Sequence, residues 1–356
     1  MKWMKTSGKI ALICPDYALP SGGVRVIYRH ADILNRAGFE AYVVHGQPGF
    51  RCDWFENETP IRYASEVSAT EFDLIVIPEI YGPRLHESVE FRKSGWLWNQ
   101  LRRFGRLEKL TRWKWDVRGV AKVIFNQNAY LTFEGYGVNA AKSDSPYLSP
   151  EVKATLCVSE DSERYLRSVF PGLTLKRFFN SVDTRLFHPN EKKKKVISFA
   201  TRKNPTHVVQ VIEALKLRGL IEGYELIPLE NLSEEEAGAV MRQSRFYLSF
   251  GYPEGCPCPP LEAMASGALV IGYHGNGGRE YFDPRFSVAI AYGDIMGFVS
   301  EVERWVAKDR VEPRTIDIMG VQASEFVRER YTAAREERQV IEFYQSLFEA
   351  KKSEAA

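Results

Sequence analysis

Residues 246–278 read FYLSFGYPEGCPCPPLEAMASGALVIGYHGNGG. An apolar run, FYLSFG, is followed by a loop of prolines and cysteines. A helix-length segment, LEAMAS, comes next, and then a second apolar run, GALVIGY. Short apolar runs separated by a helical pattern read as buried strands joined by a crossover helix, the unit of a parallel sheet. Two glutamates, Glu254 and Glu262, frame the rigid loop. In a parallel sheet, the loop after a strand and the start of the next helix lie where ligands bind. Proline suits a helix start, because the N–H it lacks has no helical partner there. A carboxylate in this position can take two hydrogen bonds from a vicinal diol such as a ribose. An acid in the first helical turn is equally favoured by the helix dipole, by about 0.3–1 kcal/mol.

The same alternation runs outward from this stretch. KIALIC (9–14) reads as a strand, and Val24, Ile27, Tyr28, Ala31 and Leu34 recur at helical spacing before Gly38. EAYVVHG, FDLIVIPE and AKVIFNQN read as strands, and ATLCVSE, DSERYLRSVF and LTLKRFFN as strand, helix and strand. The pattern restarts near residues 184–195. KKKKVISFATRK, YELIPL, FYLSFG, GALVIGY and FSVAIAY read as strands, with PTHVVQVIEALKLRG and SEEEAGAVMRQ among the helices between them. Two α/β halves in series follow. The last segment, YTAAREERQVIEFYQSLFEAKK, reads as a long helix, and Lys192–Lys195 as a solvated linker.

Two further segments fall at strand ends. PSGG (20–23) opens the first helix, where glycine and free amides suit an anion; a tight turn accounts for it equally. In ATRKNP (200–205), Arg202 and Lys203 form a cationic pair suited to a diphosphate, or two surface cations before a helix. GxGxxG, GxSxG, HExxH and DxD are all absent, so no dinucleotide fingerprint, hydrolase elbow or divalent-metal site is expected.

Composition bounds the class. The chain has 356 residues, 44% hydrophobic and 26% charged, with a net charge of +2. This is an ordinary globular balance that gives no field for nucleic acid. The five cysteines include no CxxC pair and no finger-spaced histidines, so zinc is not expected and a reducing compartment fits. No apolar run reaches the roughly 18 residues of a membrane span, and Ile10–Cys14 is too short for a signal-peptide core. A cytoplasmic protein is expected.

Several segments together resemble the family four retaining glycosyltransferases. EGCPCPPLEAMASGALVIGYHGNGGREYF is similar to that family's signature of two glutamates eight apart, AMAxG, a strand and a GGxxE turn. NSVDTRLFHP (180–189) resembles its interdomain segment. PSGGVRVIYRHADILNRAGFEAYVV resembles its amino-terminal GG and first helix, and CVSEDSERYL its strand–serine–helix segment. The matches run in order over about residues 9–282.

The resemblance implies an α/β GT-B fold, two Rossmann-like domains with parallel sheets facing a cleft. An acceptor domain would span residues 1–184 and a nucleotide-sugar donor domain 185–326, with a helix, 327–356, crossing back to the first domain. It implies that Glu262 holds the ribose, that Arg202 and Lys203 neutralise the diphosphate, and that Gly22 and Gly23 bring amides toward it. Glu254 would lie beside the donor sugar and the Gly277–Gly278 turn would line the pocket. No metal or other cofactor is implied. Pro257 stands where many members have glycine, which leaves Cys256, Cys258 and Leu261 as the amide donors of that loop. Where many members carry a sugar-contacting histidine, this chain has Asn126, Gln127 and Asn128, and Asn128 takes that place. An amide there can bond a hydroxyl but cannot act as a base.

The expected partners are a nucleotide-diphosphate sugar and a glycan or lipid-linked acceptor, with UDP favoured over GDP and cell-surface polysaccharide synthesis as the setting. Residues 92–122 hold ten Lys/Arg against two acids and four of the seven tryptophans. Trp96, Trp98, Arg102, Arg103, Arg106, Trp113 and Trp115 therefore suit an anionic membrane surface, placing the protein peripherally on the inner face. A core-packing helix with a basic outer face fits the same pattern, and indoles also stack on sugars. Two rival functions remain: a sugar-nucleotide epimerase of the same fold, and a non-catalytic glycosyltransferase-like binding protein.

Overall fold

The computed structural model describes residues 8–92, 112–138, 144–190 and 192–354. The chain divides into two compact units. The first comprises Met1–Val158, Ser162–Phe178 and Glu337–Ala356, and the second Ser159–Asp161 and Phe179–Glu336.

The strands of the first unit are β1 (Lys9–Ile13), β2 (Glu40–His45), β3 (Ile61–Tyr63), β4 (Leu74–Pro78), β5 (Ser88–Arg92), β6 (Arg112–Asp116), β7 (Lys122–Asn126), β8 (Val152–Cys157) and β9 (Leu175–Arg177). Seven of them form one parallel sheet in the order β3-β2-β1-β4-β7-β8-β9. Ile10 pairs with Ala41 on one side and Leu74 on the other. The central strands KIALI, LIVIP and KVIFN are buried almost throughout, which is why they read as continuous apolar runs. Helix α1 (Gly22–Arg36) buries Val24, Ile27, Tyr28, Ala31 and Leu34, the face its spacing predicts. Helix α2 (Glu160–Val169) follows β8.

Strands β5 and β6 pair antiparallel apart from the main sheet. This corrects the helical reading of the basic segment over residues 112–116. Trp115 is 5% exposed, donates its indole N–H to Val67 O at 3.0 Å, and is core rather than a membrane or acceptor contact. Trp113 is half-buried against Phe91. Trp96, Trp98, Arg102, Arg103 and Arg106 lie outside the described residues.

In the second unit, β10 (Val196–Phe199), β11 (Glu225–Pro228), β12 (Phe246–Phe250), β13 (Leu269–Tyr273) and β14 (Ser287–Ile290) form a parallel sheet in the order β11-β10-β12-β13-β14. It carries α3 (Pro205–Leu217), α4 (Glu234–Gln243), α5 (Cys258–Ala265), α6 (Ile295–Val311) and α7 (Pro313–Arg330). Helices α6 and α7 have no counterpart in the sequence reading. Under the sheet, Arg245 bonds Asp309, Asp317 and Pro313 O, and Tyr224 donates to Asp309 at 2.5 Å. Lys193 departs from the expected solvated linker. Its amine donates to Met241 O, Arg242 O and Ser266 O, so it satisfies carbonyls at the ends of α4 and α5. Burial pulls that amine down to about 7.

The final helix, α8 (Ala333–Glu354), lies in the first unit from Glu337 onward. There Phe343 packs edge-on to Phe178, and Phe348 packs against Phe39. No helix among the described residues is long and apolar enough to cross a membrane.

Candidate active site

Each sheet reverses its strand order once, between β1 and β4 in the first unit and between β10 and β12 in the second. Ligands of open α/β sheets bind at the carboxyl ends of the strands beside such a reversal. In the second unit the loops at that place are 200–204 and 251–257, which contain Arg202, Lys203 and Glu254.

Lys203 and Glu254 meet there as a hydrogen-bonded ion pair, with side chains 20% and 14% exposed. The Lys203 ammonium also stands over the Tyr252 ring, 5.2 Å from its centroid. Arg202 is exposed and makes no hydrogen bond or ion pair among the described residues. Between them and α3 sits Asn204, in the left-handed region at φ 52°, ψ 51°. Its Nδ2 donates to Phe250 O at 2.8 Å, which ties the β10 loop to the end of β12.

The loop after β12 leads into α5, whose N-cap is Pro257. Prolines 257, 259 and 260 have no N–H. Of the four amides that ordinarily lack a partner at a helix start, only that of Cys258 exists. Leu261 is 1% exposed and stands at the fourth helical position. The amides of Gly255 and Cys256 make no hydrogen bond among the described residues. A hydrogen bond with Cys258 and burial hold the Cys256 thiol well above its ordinary value. Glu262 is 8% exposed within α5. Burial, then the Glu262 and Glu254 carboxylates, push the Tyr247 hydroxyl well above its ordinary pKa.

The turn after β13 packs against this loop. Glu254 N donates to Gly275 O at 2.9 Å and Gly277 N to Glu254 O at 3.1 Å, a parallel bridge between Glu254 and Asn276. Gly277 must be glycine, since a Cβ would lie 1.8 Å from Gly255 O. A Cβ at Gly278 would lie 2.8 Å from the Tyr281 hydroxyl, which donates to Pro257 O at 2.7 Å. Both glycine amides bond within the protein, Gly278 N to His274 O at 2.9 Å. Their close packing against Gly255 and Tyr281 holds the turn on the Glu254 loop.

At the reversal in the first unit, α1 begins at Gly22 and its N-cap Ser21 makes no side-chain cap, so Gly22 and Gly23 present their amides. Gln127 donates to Gly23 O at 3.2 Å. Glu79, absent from the sequence-level candidates, closes β4 here at 3% exposure. It accepts the amides of Gln127 and Asn128, each at 3.0 Å. Burial pushes its carboxyl up to about 7, against the lowering effect of these bonds. The Asn128 oxygen accepts Tyr130 N at 3.1 Å, so that side chain is partly committed to its own turn. No group of three or more His, Cys, Asp or Glu among the described residues could hold a metal.

Comparison with known proteins places the fold. The family described as "Glycosyl transferase-like" matches residues 202–342. The fold is that of the GT-B glycosyltransferases. Sucrose-phosphate synthase from Thermosynechococcus elongatus superposes at a TM-score of 0.63 with 14% identity, over 96% of this chain and 100% of that one. Anabaena HepE in complex with UDP and glucose gives 0.61 and 12%, over 95% and 100%. S. aureus TarM in complex with UDP and α-GlcNAc-glycerol gives 0.62 and 10%, over 96% and 99%. An α-1,6-glucosyltransferase of Actinobacillus pleuropneumoniae is 33% identical over 92 residues. That match spans 25% of this chain and 28% of the relative.

Proposed function

We propose that the protein is a retaining glycosyltransferase that moves a sugar from a UDP-sugar to a glycan or lipid-linked acceptor in cell-surface polysaccharide synthesis. The observation that carries this reading is the Lys203–Glu254 pair at the strand reversal, beside the open amides of Gly255 and Cys256 and the unpaired Arg202. Arg202 and Lys203 neutralise the diphosphate, in place of a metal. Glu262 takes the ribose hydroxyls, and Glu254 with the loop amides takes the sugar.

In transfer, the bond from the anomeric carbon to the phosphate oxygen breaks as the acceptor oxygen bonds the same face. The acceptor proton passes to the departing phosphate, and nothing is oxidised or reduced. The relatives' names and complexes support UDP and glucose as first probes. Trp96, Trp98, Arg102, Arg103 and Arg106 are proposed to meet an anionic membrane surface on the cytoplasmic side, a role that burial denies to Trp115.

Turnover of UDP-glucose, UDP-N-acetylglucosamine, GDP-mannose and ADP-glucose tests the reading, with the anomer of any product read by NMR. Release of UDP with retained configuration supports it. Turnover of none of the four, or an inverted product, contradicts it.

A further inference from the structure

The turn after β13 has an unusual backbone. Gly275 lies at φ +59°, and Asn276 at φ 61°, ψ −60°. Gly277 N donates back to Gly275 O at 2.8 Å. This is a γ-turn with positive φ, a rare and strained geometry, carried by a residue with a Cβ. Strain of this kind persists only where the surroundings over-determine it, and it clusters at ligand clamps. The added restraint is His274, whose Nδ1 accepts Asn276 N–H at 2.9 Å. A backbone N–H can only donate, so Nδ1 is unprotonated and the ring proton sits on Nε2. Phe282 packs edge-on to the ring at 6.1 Å. The turn in turn holds Glu254 through Glu254 N to Gly275 O and Gly277 N to Glu254 O.

We propose that neutral His274 is a positioning residue, which locks the Asn276 γ-turn and through it places Glu254 against the donor sugar. This rests on the reading of Glu254 as the sugar-binding carboxylate. Protonation at Nδ1 would replace an acceptor with a donor facing a donor, and the turn would open. The charged groups facing the ring are Arg279, on its own turn, and Asp161. Arg279 pairs with Asp161 at 3.8 Å. Burial, then Arg279, lower the ring's affinity for a proton, and Asp161 opposes them. The neutral form therefore persists below the ordinary histidine range.

The sugar and the nucleotide respond differently, because Arg202 and Glu262 lie off this turn. Calorimetry with UDP-glucose and UDP as probes separates them. His274→Ala should weaken UDP-glucose about tenfold and leave UDP within about twofold. His274→Asn keeps an acceptor near the Nδ1 position and does not titrate. It should restore UDP-glucose affinity at pH 7.5. It should also abolish the acid loss that wild type shows below the ordinary histidine range, where the folded ring takes up its proton. UDP-glucose affinity unchanged in His274→Ala, or an acid loss retained in His274→Asn, overturns the proposal. If His274→Ala does not fold, the comparison of wild type with His274→Asn decides.

Wild type that binds no nucleotide sugar contradicts the functional reading, and the turn is then tested by stability. The folded ring binds its proton less readily than the unfolded one. Stability is therefore lost as pH falls below about 6.5. The urea midpoint of wild type should drop there relative to His274→Asn. Parallel midpoints would refute the lock.

Discussion

Removing the Lys203 ammonium probes the site most sharply, because the structure pairs it with Glu254 and the proposed function sets it against the diphosphate. Two unit charges about 4 Å apart interact by about 4 kcal/mol at an effective dielectric of 20. With both side chains still partly exposed, solvent screening reduces the net coupling to about 1–2 kcal/mol. Lys203→Met should cost about that much stability, since Glu254 is left as a half-buried carboxylate without its cation. Loss of one group that stabilises the leaving phosphate should lower turnover about 100-fold. Glu254→Gln should lower turnover comparably while recovering part of the stability in the Lys203→Met background.

The assay is UDP release from UDP-glucose, with urea unfolding on the same four proteins of the double-mutant cycle. If Lys203 acts on the phosphate, the double variant is at least as inactive as either single one. Turnover in Lys203→Met within threefold of wild type would refute the reasoning. Recovery of turnover in the double variant would reduce the pair to a structural ion pair.

Three other outcomes follow from the packing. Glu79 binds its proton more tightly folded than unfolded, near 7 against 4.5. Its contribution to stability is full below about pH 4.5 and is lost as pH rises through about 7. Wild type should lose ~3 kcal/mol relative to Glu79→Gln across that window, read by urea midpoints; parallel pH profiles would contradict the burial of that carboxyl. Asp309→Ala leaves Arg245 in the core short of a counter-charge and should destabilise the second unit by about 3–5 kcal/mol, seen in thermal unfolding. Gly277→Ala drives a Cβ into Gly255 O and displaces the loop that holds Glu254. It should lower UDP-glucose turnover at least tenfold with UDP affinity retained, and wild-type turnover would show that the loop is not built as described.

The fold was legible wherever burial made the pattern local. Strands such as LIVIP and LVIGY are apolar along their whole length, and α1 carries its core face at helical spacing. Where neighbours decide the outcome, the sequence misled. WKW in β6 alternates as a strand does, with Trp115 turned inward, but its basic surroundings resemble a membrane helix. Lys193 looks like three other lysines until the ends of α4 and α5 surround it. Glu79 follows an apolar strand and carries no motif. Its raised affinity for a proton comes from burial, which wins over the amides donated from residues 48 and 49 positions away. Glu254 and Lys203 were legible as separate candidates, and their pairing was not. The prolines before Leu261 hinted at the helix start that the structure places at Cys258.

The central claim, that the carboxyl edge of the second sheet binds a nucleotide-diphosphate sugar, is tested most directly by calorimetric titration of the protein with UDP, GDP and ADP, repeated on Glu262→Ala. We expect saturable binding of UDP, tighter than GDP or ADP, and a loss of at least tenfold when Glu262 is removed, because a buried carboxylate is the group proposed to take both ribose hydroxyls. Binding of none of the three nucleotides, or UDP affinity unchanged in Glu262→Ala, would contradict it.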